Sequence, residues 1–269
     1  MQQLEGLYIF ILGLIFGSFA LALADRLKAK KDWVKGRSSC EHCHHTLAAR
    51  DLIPLASWLS TGGSCRYCRK RLSASYPLTE LGLGLAFLIS YLYFPFELSS
   101  WGWALLVLWM SGLVLMCSLF VFDLRWYTLP SRLVYTLVSV SSVHWLVFAL
   151  LYSDRSFGFL LLSLVGALLA SAGVFFVLHL VSDGKWIGDG DVRLGLAIGL
   201  FLVGPIEAWL AVFFASTLGI IVVLPTLKKT KKRFQTKVPY GPLLITGLWI
   251  TYLFGTKLIE WYSSTFLYL

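Results

Sequence analysis

The stretch "LVSDGKWIGDGDVRLGL", residues 180–196, decides how the chain is read. It sets three aspartates, a lysine and an arginine between apolar runs at 157–181 and 194–206. In a soluble protein this would be an ordinary polar loop. Here it interrupts a chain that is 58% hydrophobic and 14% charged, with a mean hydropathy of +0.75. A soluble domain of 269 residues needs a far more polar surface, so the composition is that of an integral membrane protein. Residues 180–196 then become an excursion to one membrane face followed by re-entry.

Working outward, apolar runs fall roughly at 4–24, 78–96, 101–122, 133–152, 157–181, 194–206, 208–227 and 243–262. Most approach the ~20 residues that ~30 Å of hydrocarbon requires. The expectation is an all-α polytopic membrane protein of about eight transmembrane helices with one cytoplasmic zinc-ribbon-like loop. Seven is the competing count, because Gly204-Pro205 could mark a bend within one span rather than a join between two. The first run lacks a basic segment before it and is read as a retained helix, not a signal peptide.

Charge orients the bundle. With the N-terminus outside, the loops at 25–76, 123–132, 182–193 and 228–238 share one face and hold 21 of the 23 Lys and Arg. The positive-inside rule makes that face cytoplasmic. The net charge of +9 therefore reports topology and contact with anionic lipid headgroups. No soluble basic surface is present that would point to nucleic acid.

Residues 25–76 form the one long polar segment and contain four of the five cysteines. Cys40-x-x-Cys43 and Cys65-x-x-Cys68 lie 21 residues apart, a spacing close to that of zinc ribbons. Disulfides are the rival reading, but a cytoplasmic loop is reducing. Four thiolates leave zinc no open coordination position, so the metal is expected to be structural. His42, His44 and His45 are read as solvated loop residues, and Cys117 as a small apolar packing group within a helix.

Only 14 residues are acidic, so carboxylates near hydrocarbon are informative. Asp123 closes the apolar run "LVLMCSLFVFD", and Asp191 opens "VRLGLAIGL". On one membrane face two such groups can share a proton and activate water against a peptide carbonyl. Position alone also allows a solvated helix-end carboxylate, or an N-cap in the case of Asp191. Gly188 and Gly190, flanking Asp189, let the backbone turn sharply and let a substrate strand come close.

At this point the chain resembles the type IV prepilin peptidases, a family of GxGD-type intramembrane aspartic proteases. The likeness runs through Gly17-Ser18-Phe19 with Arg26, the loop "CEHCHHTLAARDLIPLASWLSTGGSCRYC", and Tyr76-Pro77 with Glu80. It continues through "FDLRWYTLP", "KWIGDGDVRL" and "VPYGPLL". Three positions depart from the usual pattern: Leu21 for Asn, Ser131 for Asp, and Arg193 for Lys. The resemblance implies that Asp123 and Asp191 are the catalytic pair, with Gly188 and Gly190 shaping the turn. Lys185 and Arg193 steady the loop or hold headgroups in that reading, and Glu80 contributes to a second activity.

By the same resemblance, the activity is removal of the basic leader from type IV prepilin or pseudopilin precursors at the cytoplasmic face of the bacterial inner membrane. Many relatives also N-methylate the new N-terminus with S-adenosyl-L-methionine. This assigns 1–100, with the cysteine loop, to the methyltransferase part and 101–269 to the peptidase. No glycine-rich nucleotide cradle accompanies it. The rival readings are a GxGD membrane protease with another client and a non-enzymatic transporter with a zinc-stabilised loop. The transporter would need polar residues through mid-membrane, and these are scarce.

Overall fold

The computed structural model describes residues 2–32, 36–152, 156–229 and 238–266. The chain divides into two compact units, Met1–Leu92 and Tyr93–Leu269.

In the first unit, α1 (Gln2–Lys28) packs along α3 (Ser75–Leu92), with the cysteine loop between them in sequence. Glycine explains the closeness. A Cβ at Gly13 would stand 2.7 Å from Gly84 Cα, and one at Gly17 would stand 2.7 Å from Glu80 Cα. Gly13 and Gly17 are four apart and share a face, so the two backbones touch as small residues allow in membranes. One turn further on, Ala20, Leu21 and Ala24 are fully buried. The loop adds a 3₁₀ turn (Ala49–Asp51) and the five-residue α2 (Ala56–Ser60).

The second unit holds α4 (Ser100–Trp126), α5 (Ser131–Leu151), α6 (Phe157–Leu168), α7 (Val174–Val181), α8 (Asp189–Leu202), α9 (Pro205–Lys229) and α10 (Gly241–Phe266). Helix α8 is central, packed by α5, α6, α7, α9 and α10. Its core is aromatic. Trp109 of α4 stacks flat on Tyr252 of α10 at 3.7 Å, and Phe201 of α8 meets the Trp109 ring edge-on at 5.2 Å. His144 of α5 is fully buried and lies 2.8 Å from the Tyr252 hydroxyl. Four helices are thus pinned to one another by one cluster.

Between α6 and α7 a π-helical turn, Leu169–Gly173, inserts into the α pattern. The Ser171 hydroxyl is shared between Ala167 O at 2.8 Å and Gly195 O of α8 at 2.9 Å. A Cβ at Gly195 would come within 2.8 Å of Ala172 Cα, so α8 lies backbone-to-backbone on this turn.

Each of the eight apolar runs corresponds to one helical segment, with α6, the π turn and α7 forming one. Among the described residues, six segments are long and apolar enough to cross a membrane. The other two are α3, with 18 residues, and α8, with 14. The boundaries differ from those read in the sequence. The 194–206 run is the helix Asp189–Leu202, which stops because Val203 takes a left-handed φ of 61° and Pro205 starts α9. So α8 and α9 are separate helices, not one bent span. The run ending at 122 continues to Trp126, placing Asp123 inside α4. Most of the basic 228–238 loop, at 230–237, lies outside the described residues, as does Arg155.

Candidate functional site

Asp123 lies one turn before the end of α4. Tyr127 closes that helix in the left-handed region (φ 53°), donating its N–H to Asp123 O at 2.9 Å. Although Asp123 is buried, its Oδ2 accepts the Gly241 N–H at 3.0 Å. Gly241 is the first residue of α10, so one of that helix's unused N-terminal donors is directed at the carboxylate. Asp191 sits in the first turn of α8, its carboxylate turned back toward the backbone N–H of Gly188. Each carboxylate is therefore held at a helix N-terminus. The two are near enough to feel each other's charge, and Tyr240 stands within reach of Asp191.

Small residues make this convergence fit. A Cβ at Gly190 would stand 3.0 Å from Leu129 Cβ, and one at Gly241 would stand 2.8 Å from Asp123 Oδ2 and 3.3 Å from Leu129 Cδ2. Leu129, in the short link from α4 to α5, thus fills the space between the two glycines. Arg193 fastens the start of α8 to the start of α5. It donates to Ser131 Oγ at 2.9 Å, pairs with Asp189, and holds its guanidinium 5.1 Å from the Tyr135 ring. Two of the three departures from the family pattern therefore contact each other. Lys185 is exposed in the preceding turn, where Asp183 and Gly184 adopt positive φ. Next to it Trp186 is 72% exposed, and His179 Nδ1 holds Ile187 O at 2.8 Å.

The four cysteines form a second centre, in the first unit. Cys40, Cys43, Cys65 and Cys68 place their Sγ atoms within 4.8 Å of one another, with Cys40 and Cys68 3.9 Å apart. Zn–S bonds of ~2.3 Å in a tetrahedron put sulfurs ~3.8 Å apart, so the cluster could hold such an ion. The backbone N–H of Cys68, aided by that of Tyr67, draws the Cys65 thiol down to about 7 against the effect of burial. The histidines stand aside. The His45 ring lies 3.7 Å from that of Tyr67, and His42 Nε2 is 3.4 Å from Arg71 O.

The two knuckles are copies offset by a constant interval. His44 N–H donates to Cys40 O at 3.0 Å, and Arg69 N–H to Cys65 O at 2.9 Å; His44 and Arg69 have φ of 56° and 58°. Leu47 N–H bonds Ser38 O as Leu72 N–H bonds Gly63 O, and the bridges Ser39–Thr46 and Ser64–Arg71 correspond. The signal was in the sequence: "SCEHCHHTL" and "SCRYCRKRL" match at Ser, both Cys and Leu. Across the knuckles, Asp51 accepts from Arg66 Nε at 2.8 Å, Tyr67 Oη at 2.9 Å and Ala48 N at 3.2 Å. The Arg66 bond foremost, with those from Tyr67 and Ala48, holds the Asp51 carboxyl below its usual range. Glu80, buried in α3, accepts the Leu55 N–H at 2.8 Å and so steadies a residue with φ 58° at the head of α2.

Asp123, Asp191, Gly188 and Gly190 thus meet at one place, and the four cysteines at another. The Gly241 amide and Leu129 are parts of the carboxylate site that spacing did not reveal. Comparisons with known proteins identify the family. Residues 11–94 match the bacterial peptidase A24 N-terminal domain. A type 4 prepilin-like proteins leader peptide-processing enzyme of Escherichia coli O78:H11 is 34% identical over 78% of this chain and 73% of its own. Prepilin leader peptidase/N-methyltransferases of Aeromonas hydrophila and Bacillus subtilis are 33% and 28% identical, over 86% and 94% of the chain and 76% and 96% of their own. No solved structure matches. With two relatives above 30% identity aligned through both units, the chain belongs to the prepilin leader peptidase/N-methyltransferase family.

Proposed function

We propose that the chain cleaves the basic leader from prepilin-type precursors with Asp123 and Asp191 acting as one aspartic dyad, and that it methylates the N-terminus so exposed. The observation that carries the proteolytic reading is the meeting of those two carboxylates, 68 positions apart in sequence, at the end of α4 and the start of α8. Two carboxylates that converge in a partly buried site favour a state in which they hold a single proton between them.

The ionised carboxylate takes a proton from water as the water oxygen bonds to the scissile carbonyl carbon. The protonated partner gives its proton to the carbonyl oxygen, forming a neutral tetrahedral diol. As the C–N bond breaks, the carboxyl that took the water proton gives it to the amine nitrogen, and the other carboxylate takes a proton from one diol hydroxyl, which leaves a carboxylic acid and a dyad with one proton. Gly241 N–H fixes Asp123 throughout, Gly190 admits Leu129 beside the site, and Gly188 lets the backbone pass close to the Asp191 carboxylate.

Lys and Arg clustered on the loops flanking both sites support a cytoplasmic active face in the inner membrane. The four cysteines would hold zinc, which would close the loop and leave no coordination position for substrate. S-adenosyl-L-methionine supplies the methyl group for the second activity. The test is co-expression with candidate prepilins: wild type shortens them by a leader, and Asp123→Asn or Asp191→Asn, still membrane-inserted, leaves them full length. Shortening by either variant refutes the dyad.

A further inference from the structure

The end of α7 carries a side chain that the hydrolysis described above does not use. His179 lies in the last turn of that helix, and its Nδ1 is 2.8 Å from Ile187 O. A carbonyl oxygen only accepts, so Nδ1 carries the proton and donates. The helix end itself does not need this bond. Gly184 N–H returns to His179 O at 2.9 Å and Asp183 N–H to Leu180 O at 3.3 Å, with Asp183 at a φ of 49°. These two bonds make a Schellman closure from backbone alone. The closure folds the chain over the imidazole, since a Cβ at Gly184 would stand 3.1 Å from His179 Cε1. The ring is thereby held with its N–H on the residue just before the Gly188–Asp191 turn.

The effect of that bond passes beyond Ile187. Its carbonyl and the N–H of Gly188 belong to one planar peptide unit, so fixing one end sets the direction of the other. Gly188 N–H donates to the Asp191 carboxylate, and Gly188 O accepts Asp191 N–H at 3.1 Å. Asp191, third residue of α8, thus reaches back to the residue that precedes the helix, as the second half of a capping box does. We infer that His179 is a positioning residue for hydrolysis: through the Ile187–Gly188 peptide it aims the Gly188 N–H at Asp191 and so fixes that carboxylate. The inference rests on the dyad reading above. Both carboxylates then lean on one backbone amide. The amide of Gly241 is borne by α10 itself, whereas that of Gly188 ends a loop and takes its direction from a side chain.

The test is steady-state cleavage of a prepilin precursor by the full-length, detergent-purified protein, with kcat and KM determined separately. His179→Phe keeps a ring and removes the donor; kcat should fall about tenfold, in line with one lost hydrogen bond, and KM should stay as in wild type. His179→Asn carries an N–H at the position of Nδ1 and should recover most of the rate. His179→Gln, whose amide lies one carbon further out, should not. Gly188→Pro removes the amide itself, and the local φ of −73° suits proline. Adding His179→Phe to Gly188→Pro should cost nothing more, because no N–H is left to aim. Wild-type kcat in His179→Phe overturns the inference, as do a raised KM with kcat intact, equal losses in the Phe, Asn and Gln variants, and additive losses in the double variant. Thermal unfolding verifies that each variant is folded, and if His179→Phe is not, the Asn and Gln pair carries the same comparison. Cleavage by Asp191→Asn in this assay overturns the dyad reading, whereas an inactive Asp191→Asn beside a fully active His179→Phe overturns this inference alone.

Discussion

The cysteine cluster and the aspartate pair are both sets of acidic groups drawn together, and they are assembled by opposite means. Each cysteine knuckle is positioned by backbone hydrogen bonds to residues a few places away, and the pattern is made twice. The aspartates are brought together by tertiary packing. Asp123 finds its amide donor 118 residues later, at Gly241, and Asp191 is placed by a helix pressed onto a π turn and an aromatic cluster. A local site can fold around its metal. A dispersed one is only as accurate as the bundle that carries it, and should yield to changes far from the chemistry.

The largest expected effect tests the dispersed site. Asp123→Asn and Asp191→Asn should each lower precursor cleavage at least about 1,000-fold, measured as the processed fraction on co-expression. Asp189→Asn, which removes only the partner of Arg193, should lower it far less. Equal losses at all three positions would mean that charge on the loop matters and the pair does not.

Next comes the local site. Replacing Cys40 and Cys43 together by serine should take zinc from about one per chain to none and open residues 36–76 to added protease. Metal analysis and limited proteolysis read this directly. A loop that stays resistant without metal would show that its backbone bonds suffice.

Gly241→Ala comes third and sharpens the contrast. Its Cβ would stand 2.8 Å from Asp123 Oδ2, so the carboxylate must move, and cleavage should fall about 100-fold with insertion intact. Gly82→Ala meets no atom within 4 Å and serves as the control. Comparable rates for the two would detach Gly241 from the site.

The smallest effect concerns Asp51. Its carboxyl is held below the ordinary 3.8 chiefly by Arg66, so its contribution is complete above that value and lost as pH falls through the lower, folded one. Arg66 is partly exposed, which limits the contribution to about 1 kcal/mol. Asp51→Asn should speed amide exchange at Ala48 near pH 7, and the difference from wild type should shrink below pH 3.8. A difference that grows on acidification would reverse the sign.

Much of this was legible in the sequence because it is written locally. The apolar runs, the two knuckles and the GxGD turn all lie within short windows. What stayed hidden depends on contact between distant segments. The motif "VPYGPLL" includes Gly241 but does not show that its amide donates to Asp123, and "FDLRWYTLP" includes Leu129 but does not show that it fills the space between two glycines. The π turn at Leu169–Gly173 is invisible to hydropathy because every residue in it is small or apolar. The end of α8 depends on Val203 taking a φ that β-branched residues rarely adopt, so the run seemed to extend to 206.

The brevity of α8 has a consequence for what reaches its polar end. Fourteen residues rise only ~21 Å, while the hydrocarbon layer is ~30 Å thick. Helix α8 is enclosed by five other helices, so the shortfall leaves a recess walled by protein rather than by lipid, and the end that falls short is the one that carries Asp191. Its neighbours thus keep hydrocarbon away from that carboxylate while water can enter from the membrane face.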